Sequence, residues 1–448
     1  MRRLVLYAWI ALLAVASGAS AGNLKAGVAR IDLTPPLELK ATLGGYGARM
    51  SKPAVGVHDR VFAKALVLSE GSNRFALVTA DVLGFPPGFK DAVLGALRDA
   101  GWKDGQLMLL ASHSHTSIDM SALYTKNIFG IPQIGSFHKE VFDRTVARLA
   151  QVVTEAGKDL AEVRVATASV ALPGWNRNRR RGSTACDPEL TVTRIDKASG
   201  EPLAVLVNWS AHPTFMGPKD MMFSGDYPGH LQRTVEALIG RGVTVMFYNG
   251  AQGDQSPVAR PDSGGNWEKA ERYGRELGIR AWREWEKVRP APATSIASSI
   301  QEIPLPPRAW HHSYKETGGR EYGVTDALAA GMLALLFPAK THSISLRLGD
   351  LVIVGIPGEM TATLGLALKS KVRASTGAAH VTIGGLADEW ISYILSAEEY
   401  RAGGYEASVS FYGETLGQVI SDGALRAASR LGPSNKTPLS RPRERGRG

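Results

Sequence analysis

Leu107-Met108-Leu109-Leu110-Ala111 runs directly into Ser112-His113-Ser114-His115-Thr116. An unbroken apolar run of strand length bounded by polar residues predicts a β-strand covered on both faces. Two residues apart in an extended segment point to the same side, so His113 and His115 can face one metal ion or one substrate. The same pair also reads as polar caps on a strand end, and the spacing alone does not choose.

The pattern recurs along the chain. The run 203–207 leads into Asn208-Trp209-Ser210-Ala211-His212, the run 243–248 into Asn249-Gly250-Ala251-Gln252-Gly253-Asp254-Gln255-Ser256-Pro257, and the run 351–356 into Pro357-Gly358-Glu359. In open α/β sheets ligands bind beyond the carboxyl ends of strands, so these tips can meet although the sequence separates them. Singly, His212 reads as a hydrogen-bonded structural histidine, Glu359 as a carboxylate favoured in a first helical turn, and Tyr393 as a half-buried aromatic.

Strands are expected over 75–79, 107–111, 203–208, 243–248, 351–356 and 380–384. Helices are expected over 88–100, 139–156, 227–239, 267–286, 361–374 and 413–429. Strands and helices alternate, but not one for one. The fold class is therefore α/β (α+β): a mixed β-sheet core with flanking helices, with metal-competent residues at strand ends where a metal site could form. The segments 289–294 and 306–322 read as surface excursions.

Met1-Arg2-Arg3, an apolar run from Leu4 to Ala16 and Ala19-Ser20-Ala21 together predict a signal peptide over 1–21, hence a secreted or periplasmic protein. No stretch reaches the roughly 20 apolar residues of a membrane span, so no transmembrane segment is expected. With 44% apolar residues in 448, the chain can build a large core. Its one cysteine, Cys186, rules out an internal disulfide. The net charge of +10 includes Arg2 and Arg3 and a basic tail over 433–448, expected to be disordered. No nucleic-acid motif accompanies it, so the charge predicts peripheral contact with an anionic membrane surface and no nucleic-acid partner.

Further segments carry a resemblance. They are Gly27-Val28-Ala29-Arg30-Ile31-Asp32-Leu33-Thr34-Pro35, Gly44-Gly45-Tyr46, Ser112 to Thr116, Gly174-Trp175-Asn176-Arg177, Asn208 to Thr214, Phe223 to Gly229, Gly250 to Pro257, Gly358-Glu359 and Tyr393 to Tyr400. In this order the chain resembles the neutral/alkaline, non-lysosomal ceramidases, in a short form ending soon after the catalytic region (22–432) and without their C-terminal β-rich domain. The resemblance implies one zinc ion per chain held by His113, His212, Glu359 and Tyr393, with a position left for a zinc-activated water. It implies catalytic roles for His115, in proton transfer or substrate hydroxyl binding, for Ser256, and for Arg177, in substrate contact. Because a zinc-bound water already supplies the attack, Ser256 is expected to position substrate or hydrogen-bond the transition state rather than act as nucleophile, with both roles open. Asp81 and Asp254 are expected to orient ligand histidines. The family has Ser-Pro after its arginine, where Asn178-Arg179-Arg180-Arg181 follows Arg177 here, and Val258 stands where the family commonly has Asn.

The function implied is zinc-dependent hydrolysis of an N-acyl amide, in ceramide or a related N-acyl lipid. The alternatives are a zinc amidase or esterase for another acyl substrate, and a silent ligand-binding relative.

Overall fold

Successive residues of the strands bury in two different hydrophobic clusters, and that division sets the architecture. In Leu107–Ala111, Met108 and Leu110 enter one cluster while Leu107, Leu109 and Ala111 enter another. Phe62–Glu70 and Asn73–Ala80 divide in the same way. A period of two with apolar residues in both phases is what a sheet covered on both faces requires. The computed structural model describes residues 24–240, 242–292 and 295–432. The expected signal peptide (1–21) and basic tail (433–448) lie outside the described residues.

The larger sheet contains, in chain order, β1 (Lys25–Asp32), β2 (Phe62–Glu70), β3 (Asn73–Ala80), β4 (Leu107–Ala111), β5 (Ala161–Ala171), β6 (Glu189–Lys197), β7 (Pro202–Trp209) and β8 (Thr244–Asn249). Their spatial order is β8-β7-β6-β5-β1-β2-β3-β4, with the short strand Ala291–Pro292 added beside β5. Only the outer pairs, β3 with β4 and β7 with β8, are parallel. A second sheet has the order β9 (Ile296–Pro304), β10 (Lys340–Leu348), β11 (Leu351–Gly355), β12 (His380–Gly384), and only β11 with β12 is parallel. The mixed sheets expected from the sequence are found.

The two sheets share a cluster that holds Leu66, Leu77, Met108, Leu110, Met246 and Tyr248 from the first and Ile344, Leu346, Leu351 and Ile353 from the second. Edge strands β4 and β8 both contribute, so the larger sheet curls until its two parallel edges approach. Helices cover the outsides. α1 (Phe89–Ala96) and α2 (Lys139–Ala156) lie on the β1–β4 half, and α3 (Asp226–Ile239) and α4 (Asn266–Lys287) on the β6–β8 half. α5 (Ala362–Thr376) and α6 (Leu416–Ser429) cover the second sheet. α2 shows why such segments become helices: it buries Val141, Thr145, Leu149, Val152, Val153 and Ala156, one stripe at helical spacing, and His138 caps its N-terminus.

Two expectations need correction. The helix read over 88–100 ends at Ala96 and continues as a separate 3₁₀ turn, Arg98–Ala100. The segment read as a surface excursion over 306–322 is structural in part. Tyr314 is buried in the core, and Trp310 packs on it beside Phe411 with ring centroids 5.3 Å apart.

Candidate metal centre

The polar residues after β4, β7, β8 and β11 do converge, and side-chain amides at the strand tips bring them together. Asn249, the last residue of β8, donates through Nδ2 to the Ser112 carbonyl beyond β4 (3.2 Å) and the Ala211 carbonyl beyond β7 (3.0 Å). Asn208 of β7 donates to the Ile383 carbonyl of β12 at 3.0 Å and so fastens the first sheet to the second. Glu359 and Tyr393 pair directly in a two-residue parallel ladder, which fixes a carboxylate beside a phenol. The Gly253 amide donates to the Met360 carbonyl at 2.9 Å, and a Cβ on Gly253 would lie 2.5 Å from the Glu359 carbonyl oxygen. That close approach explains the glycine.

His113 stands in a left-handed turn, φ 69°, immediately after β4. Such backbone is uncommon for a residue with a side chain and recurs at functional sites. Its Nε2 lies 3.3 Å from Glu359 Oε2, and His212 Nε2 lies 2.9 Å from the same oxygen. Tyr393 Oη is 3.5 Å from His212 Nε2. The other ring nitrogens are engaged: His113 Nδ1 donates to the Leu83 carbonyl (2.6 Å) and His212 Nδ1 to the Gln252 carbonyl (2.7 Å). Trp390 Nε1 donates to Glu359 Oε1 at 2.8 Å and leaves Oε2 facing the imidazoles.

The electrostatics of this arrangement are informative. Burial, with the Arg179 charge adding to it, pushes His212 down to about 4. Burial also pushes His115 well below its ordinary value and, with the Glu359 carboxylate, pushes the Tyr393 phenol far up. With Nδ1 donating and the ring neutral, His212 Nε2 is an acceptor. Two imidazole nitrogens and a carboxylate oxygen thus face one another in a buried space, and His113 Nε2 and Glu359 Oε2 have no hydrogen-bond partner. Acceptors in that position repel unless a cation joins them. The donor set, nitrogen, nitrogen, carboxylate and phenol, suits zinc.

His113, His115 and His212 form one of two groups among the described residues able to hold a metal ion. His115 lies 4.9 Å from His113 between ring centroids, and both its ring nitrogens are buried without a partner. Gly45 makes room for it. With φ 91°, a Cβ there would meet His115 Nδ1 at 2.2 Å. The other group, His58, Asp59 and His230, already contains a cation, because Arg233 donates to Asp59 (3.1 Å) and to His230 Nδ1 (3.0 Å).

Other expected site residues stand elsewhere. Arg177 and Ser256 face each other across a short antiparallel ladder. Arg177 is exposed, Ser256 is half-buried, and neither lines the cavity described below. The arginine that reaches the centre is Arg179, whose Nη2 donates to Tyr393 Oη and to the Gly253 carbonyl, both at 3.0 Å, while Nε donates to Glu406 at 2.7 Å. Asp81 and Asp254 do not hydrogen-bond His113 or His212, whose Nδ1 atoms donate to the Leu83 and Gln252 carbonyls instead. Asp81 accepts from the Phe62 amide (3.0 Å), whereas Asp254 accepts from Asn178 (2.7 Å) and from the Ala362 amide at the start of α5 (2.9 Å). Since the Asp254 carbonyl also accepts from the Arg179 amide, this residue helps to set the arginine. Trp390 and Arg179 were missed. The signals were a tryptophan three residues before Tyr393 and an arginine run with more than one register.

A cavity of about 190 Å³ opens from the centre. Its inner end carries His113, His115, Glu359 and Tyr393, with Tyr46 and Asp119 nearby. Beyond Trp390, which donates to Glu359, the wall is apolar: Met332, Leu336, Phe337, Phe411, Trp310 and Tyr314. Phe337 and Phe411 lie 4.4 Å apart and Trp310 and Tyr314 4.1 Å apart between ring centroids. The Trp310 and Tyr124 polar atoms turn away, donating to the Ala329 and Leu336 carbonyls.

Fold and site thus define a mixed α/β protein whose strand tips carry a metal-competent cluster at the inner end of an apolar pocket. The chain belongs to the neutral/alkaline non-lysosomal ceramidase family: the model of that family's N-terminal region matches residues 24–262 and 331–420. It is 23% identical to the neutral ceramidase of Pseudomonas aeruginosa over 90% of this chain and 71% of that protein. It is likewise 23% identical to the neutral ceramidase of Drosophila pseudoobscura pseudoobscura, over 93% of this chain and 76% of that one. The crystal structure of the Pseudomonas aeruginosa enzyme shares the fold, with a TM-score of 0.76 at 22% identity, covering 92% of this chain and 75% of that one.

Proposed function

We propose that this protein is an exported zinc hydrolase that cleaves the amide bond of a ceramide-like N-acyl lipid. The observation that carries the reading is the convergence of His113 Nε2, His212 Nε2 and Glu359 Oε2, with Tyr393 Oη beside them, at the inner end of an apolar pocket. These four residues would hold the ion. When bound, zinc acts as a Lewis acid that polarises an acyl carbonyl and brings the ionisation of water to about pH 7. Hydrolysis breaks the C–N bond, delivers hydroxide to the acyl carbon and a proton to the leaving amine, and yields a fatty acid and an amine.

The protein's own groups do the rest. His115, with both ring nitrogens buried, unpartnered and in the cavity wall, hydrogen-bonds the leaving amine or the substrate hydroxyls. Arg179 holds the Tyr393 phenol in place. Trp310, Phe337 and Phe411 exclude water from the acyl chain. The test is direct: the zinc-loaded protein should release fatty acid from N-acyl sphingoids, and failure on every such amide would end the reading. Release instead from esters or N-acyl amino acids would move the substrate and keep the chemistry.

Ser256→Ala should keep its zinc and lose at most a few-fold in kcat/KM, because that side chain stands outside the cavity. Zinc loss in this variant, measured by metal analysis, would overturn the division of roles. Trp310→Ala should shift acyl preference toward longer chains, since Trp310 is part of the apolar wall. A chain-length series on one sphingoid checks this, and an unchanged optimum would place the acyl group elsewhere.

A further inference from the structure

Two loops beside the cavity hold large apolar side chains out in solvent, and no described residue covers them. Ser51, Asn127 and Gln133 line the cavity, and their close neighbours Met50, Val55 and Ile128 are 43%, 74% and 74% exposed. Neither loop is free to fold these residues inward. Buried Arg49 donates to the carbonyl oxygens of Gly44 (2.5 Å), His115, Gly217 (3.2 Å) and Asp220 (3.1 Å), which fixes the turn that displays Met50. The second loop is closed at its base by Asn127 Nδ2 to the Gly135 carbonyl (3.1 Å) and by the Phe137 amide to the Asn127 carbonyl (3.3 Å). Ser51 Oγ donates to the Pro132 carbonyl, so the loops meet.

The charge within these two loops has one sign. Segments 47–55 and 125–137 contain no Asp or Glu, while Lys52 and Lys126 are both exposed. Rigid apolar projections flanked by lysines match a surface with an anionic face and an apolar interior.

We infer that the loops 47–55 and 125–137 form the surface by which this protein sits on an anionic lipid bilayer, with the cavity mouth turned toward the membrane. The inference rests on the lipid-amide reading of the same cavity. Met50, Val55 and Ile128 enter the boundary between headgroups and acyl chains, Lys52 and Lys126 pair with the anionic headgroups, and a lipid can pass into the cavity without crossing water.

The test is co-sedimentation of the full chain with vesicles of phosphatidylcholine, with and without phosphatidylserine. Binding is expected only with phosphatidylserine and should weaken with salt. Lys52→Ala and Lys126→Ala should each weaken it about fivefold, the worth of one lysine near such a surface. Met50→Asp combined with Ile128→Asp should weaken it at least about tenfold. All these variants should hydrolyse a water-soluble short-acyl amide at the wild-type rate. Equal binding by wild type and variants, no binding to phosphatidylserine vesicles, or light scattering that finds Met50 and Ile128 holding two copies together would overturn the inference. Vesicle binding that follows these residues, in a protein that cleaves no amide, would remove the amidase reading and leave the surface standing.

Discussion

Glu359→Ala and His113→Ala should each lose zinc and activity together, with kcat/KM falling at least about 1000-fold, some 4 kcal/mol of transition-state stabilisation. The reason is the geometry of acceptors. Glu359 Oε2 is the one atom that approaches both imidazole nitrogens, at 3.3 and 2.9 Å, and it supplies the only full negative charge among the four proposed ligands at neutral pH. Removing it leaves two imidazole nitrogens and a phenol, a poor site for a divalent ion. Removing His113 takes away the ligand held by the left-handed turn.

Glu359→Gln separates metal loss from misfolding. Its amide oxygen can still accept from Trp390 Nε1, which would otherwise be left unsatisfied at a cost of about 1–3 kcal/mol. The glutamine variant should therefore melt close to the wild-type metal-free protein yet bind zinc poorly in a competition titration. Full zinc occupancy in Glu359→Gln or His113→Ala would show that the ion is held by other residues, with His115 the first to test.

The second large effect is expected at Arg179. Arg179→Ala should lower kcat/KM about 100-fold, or some 2.7 kcal/mol, whereas Arg177→Ala should stay within about twofold. Arg179 forms a fork between the Tyr393 phenol, the Gly253 carbonyl and the Glu406 carboxylate, so its loss releases a ligand-bearing side chain. Glu406 would retain Arg180 at 3.1 Å, which limits the damage to the fold. Arg179→Lys should recover little, because an ammonium cannot span the three acceptors that a planar guanidinium reaches. Steady-state kinetics with metal analysis of each variant checks this, and an equal or larger loss at Arg177 would overturn the assignment.

The arginine also shows where sequence reading runs out. Asn176-Arg177-Asn178-Arg179-Arg180-Arg181 offers several guanidinium groups, and Arg177 and Arg179, two apart, would share a side in an extended segment, so local pattern does not separate them. Motif position favoured Arg177. Pairing of Asn176–Asn178 with Gln255–Pro257, and the bond from the Arg179 amide to the Asp254 carbonyl, decide which one turns inward. Ser256, expected from the separate motif Gly250 to Pro257, lies on that same ladder, outside the cavity.

Strands were legible where they are apolar throughout. Leu107–Ala111 and His380–Gly384 begin and end where expected, and the other runs agree to within a few residues. The strands not read, such as Glu189–Lys197 and Lys340–Leu348, carry charged and hydroxyl side chains. Thr191 and Thr193 of the former, and Ser343 and Ser345 of the latter, are nonetheless buried. Thr193 meets Thr167 across the sheet, and Ser343 donates to the Gly355 carbonyl, partnerships that no local pattern displays.

Local period and short motifs are properties of neighbouring residues, so the mixed sheet-and-helix class, the polar strand tips and, through family resemblance, the four proposed metal ligands can be read along the chain. The tertiary structure alone decided that Leu83 and Gln252 carbonyls, not Asp81 and Asp254, orient the histidines. It also decided that Arg179 and Trp390 complete the centre, and that part of 306–337 becomes a pocket wall. Each of these depends on which distant strand tips meet when the larger sheet curls onto the second one, and that is set by packing between segments rather than by the order of residues within them.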